Sequence, residues 1–154
     1  MEAQGTSVDA THVDGLTEMD VHSLLGFGMG RGTKMYYDSI NERPFIISRS
    51  TYAGSGKFVQ HWLGDNWSTW PMLKYSINGV FQFNSFGIPV VGADICGFLG
   101  LTNAELCARW YAVGAFYPFA RNHNDIVPYA QEPFVELFNV EVPGTPGVTY
   151  RQSI

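Results

Sequence analysis

Apolar positions along this chain come in short runs, and each run stops at an ionisable residue. Residues 44–48 (PFIIS) make a compact, β-branched run too short for a helix, and Arg49 follows at once. That reads as a buried strand delivering a charge. Residues 57–62 predict a second strand that ends at Gly64-Asp65, and residues 87–93 (GIPVVGA) a third that ends at Asp94. Residues 115–119 (AFYPF) predict a fourth, which runs into Arg121-Asn122-His123-Asn124. Between them, Trp70, Leu73, Ile77, Val80 and Phe81 suggest an amphipathic helix over residues 67–83. Thr102 and Glu105 have capping-box spacing ahead of a helix through Leu106, Trp110 and Val113 that Gly114 stops. Upstream, Val21, Leu24, Leu25 and Met29 recur near helical spacing over residues 20–34. Gly26, Gly28, Gly30 and Gly32 weaken that helix, and are expected to let it pack close to a neighbour.

Strands that are apolar within and ionisable just past their ends are the pattern of a parallel α/β sheet with its site at the carboxyl ends. A barrel segment explains this better than a sandwich. A closed (β/α)8 barrel takes about eight strands and typically about 250 residues, so 154 residues predict roughly half of one. A small intact Rossmann-like domain is the competitor. Against it, no Gly-x-Gly-x-x-Gly follows any strand: the spacing fails at Arg31 when read from Gly26, and at Thr33 when read from Gly28.

Composition narrows the function. With 45% apolar and 15% charged residues, and 17 Gly and 8 Pro dispersed among them, the chain is globular and rich in turns, which excludes disorder, collagen and coiled coil. No apolar stretch of about 18 residues occurs, and residues 1–12 are polar without a basic start, so neither a membrane span nor a signal peptide is read. Nine basic against fourteen acidic side chains give a net charge of −5 with the basic residues scattered, and nucleic acid is not an expected partner. Aromatic residues make up 15%, more than a core of this size ordinarily needs. Some rings are therefore expected to line a site suited to a neutral, hydroxyl-rich ligand such as a sugar, with plain core packing the alternative for any one of them.

Several familiar signals fail on inspection. Cys96 and Cys107 are too few for zinc, and no Cys-x-x-Cys or His-x-x-x-His spacing is present, so no metal or cofactor is expected. A local disulfide and two buried thiols both fit that pair. Gly54-Ser55-Gly56-Lys57 imitates a phosphate loop, but Thr51 stands where its first glycine belongs and Phe58 where its hydroxyl belongs. There is no Gly-x-Ser-x-Gly elbow. Asn66-Trp67-Ser68 is a formal glycosylation sequon at which no glycan is expected. The carboxylates remain, with Asp65 and Asp94 each able to serve in glycosidic hydrolysis or merely to cap a loop or helix.

Four longer runs carry the reading further: residues 47–56 (ISRSTYAGSG), 61–66 (HWLGDN), 92–98 (GADICGF) and 121–124 (RNHN). Together and in this order they closely resemble glycoside hydrolase family 31, the α-glucosidase family, from about Ala10 to about Pro133. The resemblance implies an α/β fold, a partial (β/α)8 TIM barrel comprising strands five to eight with their intervening helices. Residues 1–9 are then a polar extension, residues 10–133 the partial barrel, and residues 134–154 a divergent, irregular tail broken at Pro143-Gly144-Thr145-Pro146-Gly147. It also implies a retaining α-glucosidase in which Asp65 is the general acid/base, a carboxylic acid that keeps its proton until the leaving oxygen takes it. Arg49 and His123 match residues that hydrogen-bond glucose hydroxyls, Asp94 a carboxylate of the same subsite, Trp62 an aromatic wall and Phe98 the entrance. The bland alternative for Arg49 is an ion pair with Asp94, and for His123 a satisfied core histidine. The cysteine pair resembles a disulfide of luminal and lysosomal members, which implies a lysosomal, endoplasmic-reticulum or secreted parent.

The family nucleophile lies in a Trp-x-Asp-Met-Asn-Glu type run on the fourth strand, and no such run occurs here. The expectation is a fragment that carries the acid/base half of the site, needs the missing barrel half for an α-glucoside oligosaccharide substrate, and does not hydrolyse it alone. Half a barrel should also leave two strand edges open and apolar surface exposed. A noncatalytic carbohydrate-binding or interaction module is the alternative, and a cysteine-based hydrolase a distant third.

Overall fold

The computed structural model describes residues 6–126 and 130–153. Residues 1–5 of the expected extension, 127–129 of the expected barrel segment and 154 of the tail lie outside the described residues. Helix α1 (Glu18–Val21), a 3-10 turn (His22–Leu24) and helix α2 (Leu25–Ser39) lead into strand β1 (Ile47–Ser48). Strand β2 (Gln60–Trp62) is followed by α3 (Trp70–Ser85). Strands β3 (Val91–Gly92) and β4 (Asp94–Ile95) are followed by α4 (Ala104–Gly114), then β5 (Arg121–Asn122), a 3-10 turn (Glu136–Phe138) and α5 (Tyr150–Ser153).

Every pair within the strands is parallel, and neighbours in space are neighbours in sequence. Ile47 pairs with Gln60, His61 with Val91, and Asp94 with Arg121. β3 and β4 are two halves of one path interrupted at Ala93, the first half paired with β2 and the second with β5. Gly92 is what lets the next strand come alongside: a Cβ there would collide with the Phe119 carbonyl, while the Phe119 N–H donates to Val91 O at 3.2 Å. Within the named strands β1 and β5 each have one strand neighbour, so both edges are open among the described residues. No helix among the described residues is long and apolar enough to cross a membrane.

The elements differ from the sequence expectation at several points: β1, β2 and β3 are shorter than the predicted runs, and the helix expected over residues 20–34 is α1, a 3-10 turn and α2 reaching Ser39. Residues 115–119 are not a strand: Phe116 and Tyr117 donate to Val113 O and Gly114 O in a turn that ends α4, Phe116 is 86% exposed, and Pro118 has no N–H to give a ladder. The strand proper is Arg121–Asn122, so the first half of the polar motif lies in the sheet, with His123 and Asn124 just beyond it. No α-helix intervenes between β1 and β2, only the 3-10 turn Ser55–Lys57, because Gly54 (φ +86°) and Gly56 leave that segment without helical continuity. The N-cap of α4 is Asn103, whose side chain accepts from the Leu106 N–H at 3.0 Å, and Thr102 is one residue too early.

The close-packing expectation for the α2 glycines divides by face. Gly26 and Gly30, one turn apart, press on Ser50 and Val59, where a Cβ at Gly30 would come to 2.5 Å from Val59 Cγ1; Gly28 and Gly32 face open space. The principal core gathers Trp110, Leu106 and Cys107 of α4, Ile95 of β4, Leu73 of α3 and Phe138 of the tail. Residues 143–147 form turns, with Thr145 N–H on Val142 O and Val148 N–H on Thr145 O, while Phe138 just before them is fully buried.

Candidate active site

The carboxyl ends of the strands bring the motif residues together. From β2, Trp62 leads to Gly64, whose positive φ (+89°) turns the chain hard against Arg49; a Cβ there would lie 2.7 Å from Arg49 Nε. Asp65 follows, with its Oδ2 3.9 Å from Arg49 Nη1 and both side chains substantially exposed. At that distance and exposure the pair contributes little to stability. Asp94 is the opposite case, with no exposed surface at all. Its Oδ1 accepts from Trp62 Nε1 at 2.8 Å and from Arg121 Nη2 and Nε at 2.6 and 3.2 Å, while its Oδ2 has no hydrogen-bond partner. Burial pushes the Asp94 carboxyl upward from its ordinary value, opposed first by Arg121 through hydrogen bonding and charge, then by the Trp62 N–H and by His123.

The Trp62 ring carries two guanidiniums, Arg121 Cζ at 4.8 Å and Arg49 Cζ at 5.4 Å from its centroid, so it links the exposed and the buried ion pair. Phe98 and His123 stack on one another, with centroids 4.8 Å apart and planes 27° from parallel. The arginine partnership thus differs from the bland alternative: Arg49 faces Asp65, and it is Arg121 that pairs with Asp94.

The loops behind these groups are stitched to each other. Asn66 is 5% exposed; its carbonyl accepts from the Phe98 and Leu99 N–H groups, and its Nδ2 donates to Asp94 O at 3.2 Å. Its amide nitrogen is therefore spent inside the protein. Cys96 and Cys107 form a disulfide with Cα atoms 4.4 Å apart, tying the turn after β4 to α4. With both sulfurs bonded there is no thiolate to act as nucleophile. Cys96 (φ +76°) and Gly97 (φ +89°) are both left-handed, and at Gly97 a Cβ would meet the Ser68 backbone at 2.5 Å. Gln131, 2% exposed, donates from Nε2 to Gly97 O at 3.3 Å, while its carbonyl accepts from Tyr111 OH and Asn122 Nδ2, each at 2.9 Å. Burial pushes the Tyr111 hydroxyl up to about 12. The phosphate-loop imitation is a compact turn in which Ser55 Oγ accepts the Tyr52 N–H. Among the described residues no group of three His, Cys, Asp or Glu side chains is arranged to hold a metal ion.

Sequence alone assigns no individual role to Arg121, Asn122 or Gln131. For Arg121 the signal lay in the fourth motif, whose alternation, read as a strand, puts it on one face with His123; Gln131 lies outside the four motifs. His61, beside Trp62, is 6% exposed, stacks on Phe83 at 3.6 Å between centroids and bonds Thr51 Oγ1 through Nδ1 at 3.0 Å. Burial pushes it down to about 4 from 6.5. The folded state thus holds His61 neutral where the unfolded chain would protonate it, so its contribution is intact above about pH 6.5 and lost as pH falls toward 4. Urea unfolding is expected to show about 3 kcal/mol less stability from this residue at pH 4 than at pH 7, a difference missing from His61→Gln.

The family model described as the glycosyl hydrolases family 31 TIM-barrel domain matches residues 2–141. Lysosomal acid alpha-glucosidase of Tetrahymena pyriformis is 58% identical over 120 residues, which are 77% of this chain and 13% of that protein. Alpha-glucosidase of Aspergillus niger is 48% identical over 140 residues, 87% of this chain and 14% of that protein. Among solved structures, the glucosidase II alpha subunit in a Glc1Man2-bound structure superposes with a TM-score of 0.79 at 36% identity, covering 85% of this chain and 15% of that one. The chain spans about one seventh of the length of such relatives.

Proposed function

Because the chain belongs to glycoside hydrolase family 31, we propose that it carries the acid/base half of a retaining α-glucosidase site, built on strands five to eight of a TIM barrel. The observation that carries this reading is Asp94: a fully buried carboxylate with one oxygen saturated by Trp62 and Arg121 and the other without a partner, next to the Arg49 and Asp65 pair. A pyranose hydroxyl is a donor of the right kind for such an oxygen, and it reaches Oδ2 only once the side chains that now cover it give way. Asp65, on the exposed rim, gives its proton to the leaving glycosidic oxygen as the bond to the anomeric carbon breaks, and takes one from water in the second step. Arg49 and His123 hold glucose hydroxyls, Trp62 walls the subsite, and Phe98, stacked on His123, lines its entrance.

The nucleophilic carboxylate of a retaining enzyme stands about 5–5.5 Å from the acid, and the family's run for it is not in this sequence. The segment is therefore a fragment in function: it needs the rest of the barrel to turn over an α-linked glucoside. The open edges at β1 and β5 are consistent with that need. A parent in the lysosome, the endoplasmic-reticulum lumen or outside the cell suits the Cys96–Cys107 disulfide.

The missing nucleophile run also favours a second reading, a noncatalytic carbohydrate-binding module. Calorimetry with methyl α-D-glucopyranoside and an assay with p-nitrophenyl α-D-glucopyranoside separate the two. The chain is expected to bind the glycoside with Kd of about 1–10 mM, to lose about tenfold in Arg49→Ala, and to release no nitrophenol. Restoring turnover by supplying the remaining barrel, with Asp65→Ala abolishing it, marks the enzyme half. Binding that persists without turnover in that mixture marks the module. No binding in either setting ends both readings.

A further inference from the structure

The catalytic reading relies on Arg49, yet the arginine on the buried carboxylate is Arg121. Resting on that reading, we propose that Arg121 is a positioning residue that holds Asp94 ionised and fixed in orientation as the acceptor for a substrate hydroxyl. The parallel register places Asp94 directly across from Arg121 in the β4 and β5 pair. Two N–H groups of the guanidinium converge on the same carboxylate oxygen, which also takes the Trp62 N–H, and this leaves the second oxygen without a partner. The guanidinium in turn lies over Trp62, with Phe119 at 5.7 Å on its flank, which limits its freedom to swing away.

Arg49 does not share this work: the side chains that donate to the Asp94 carboxylate are Trp62 and Arg121, while Arg49 faces Asp65 at 3.9 Å. The groups that act on the Asp94 carboxylate are Arg121 from β5, His123 from the segment after β5, and the Trp62 N–H from β2. Burial favours the neutral acid, and Arg121 is first among the groups that oppose it. Without Arg121 the buried carboxyl takes up a proton at higher pH, and its free oxygen ceases to be a strong acceptor.

The test is a carbon-detected NMR titration of the aspartate carboxyl groups in the full chain, comparing the parent with Arg121→Gln and Arg121→Lys, alongside calorimetry with methyl α-D-glucopyranoside. In Arg121→Gln the Asp94 midpoint is expected to rise by about one pH unit, a tenfold gain in proton affinity, with Asp65 unmoved. Arg121→Lys should shift it less and restore part of the glycoside affinity. An Asp94 midpoint that stays in place in folded Arg121→Gln overturns the proposal, as does a joint shift of Asp65 and Asp94, the signature of general loosening. If Arg121→Gln does not fold, a shift in Arg121→Lys larger than that in His123→Gln supports the role and the reverse overturns it. A moved Asp94 midpoint in a parent chain that binds no glycoside supports Arg121 as the group that keeps Asp94 ionised and overturns the sugar-site reading instead.

Discussion

Replacing Asp94 by alanine is expected to lower folding stability by about 3 kcal/mol and to remove glycoside binding altogether. The carboxylate is wholly buried and is shared by Trp62 Nε1 and two N–H groups of Arg121. Its removal strands the Trp62 N–H away from water and leaves the Arg121 charge unpaired beside an apolar core. The Arg121 side chain is 35% exposed and regains some hydration, which holds the loss near the lower end of the range for broken buried pairs. Asp94→Asn keeps the shape and an acceptor for Trp62, so it should cost less than half as much while still weakening binding. Urea midpoints for the two variants decide the matter. An alanine variant as stable as the parent would mean that the Asp94 cluster holds nothing together.

Gly92→Ala is the second large effect, expected to cost about 3 kcal/mol through overpacking. The added methyl would collide with the Phe119 carbonyl, a backbone atom that cannot move without carrying the strand with it. Relief therefore requires β5 to withdraw from the β3 and β4 path, which separates Arg121 from Asp94 and loses the site along with the fold. Gly28→Ala, at an α2 position facing open space, serves as the control and should stabilise the helix by about 0.5–1 kcal/mol. Thermal unfolding of both variants reads the contrast, and a Gly92→Ala midpoint close to the parent's would show that the strand path tolerates separation there.

Much of the architecture was legible from local pattern. The helices α3 and α4 lie where apolar spacing predicts them, and the strands β1, β2 and β3 with β4 lie in or next to the predicted runs; in α3 only Leu73 of the predicted stripe is buried, while Trp70, Ile77 and Phe81 are exposed. The fourth strand was misplaced because residues 115–119 are as apolar as a strand, yet the turn after α4 and Pro118 take residues 115–118 out of the ladder, and only the Phe119 N–H reaches Val91 O of β3. Apolarity reports burial, and burial alone does not make a ladder. The α4 cap was displaced by one residue for a similar reason, since Thr102 and Asn103 both suit a cap and only the backbone conformation at Asn103 (φ −131°, ψ 166°) chooses between them.

By itself the sequence determined the motifs, their order, the family and the chemical character of each strand end, since these depend on residue identity and spacing alone. Only the tertiary structure decided which arginine meets which carboxylate. Nothing in spacing prefers Arg121 to Arg49 as the partner of Asp94; the register of β4 with β5 does, by setting the two residues opposite each other. The same holds for the rim: Arg49 meets Asp65 because Gly64 turns the chain back against it, a contact between residues sixteen positions apart in sequence number that exists only once two strands lie side by side. Charge and hydrogen bonding act over a few ångströms, so their pairing is settled by the last and finest level of folding.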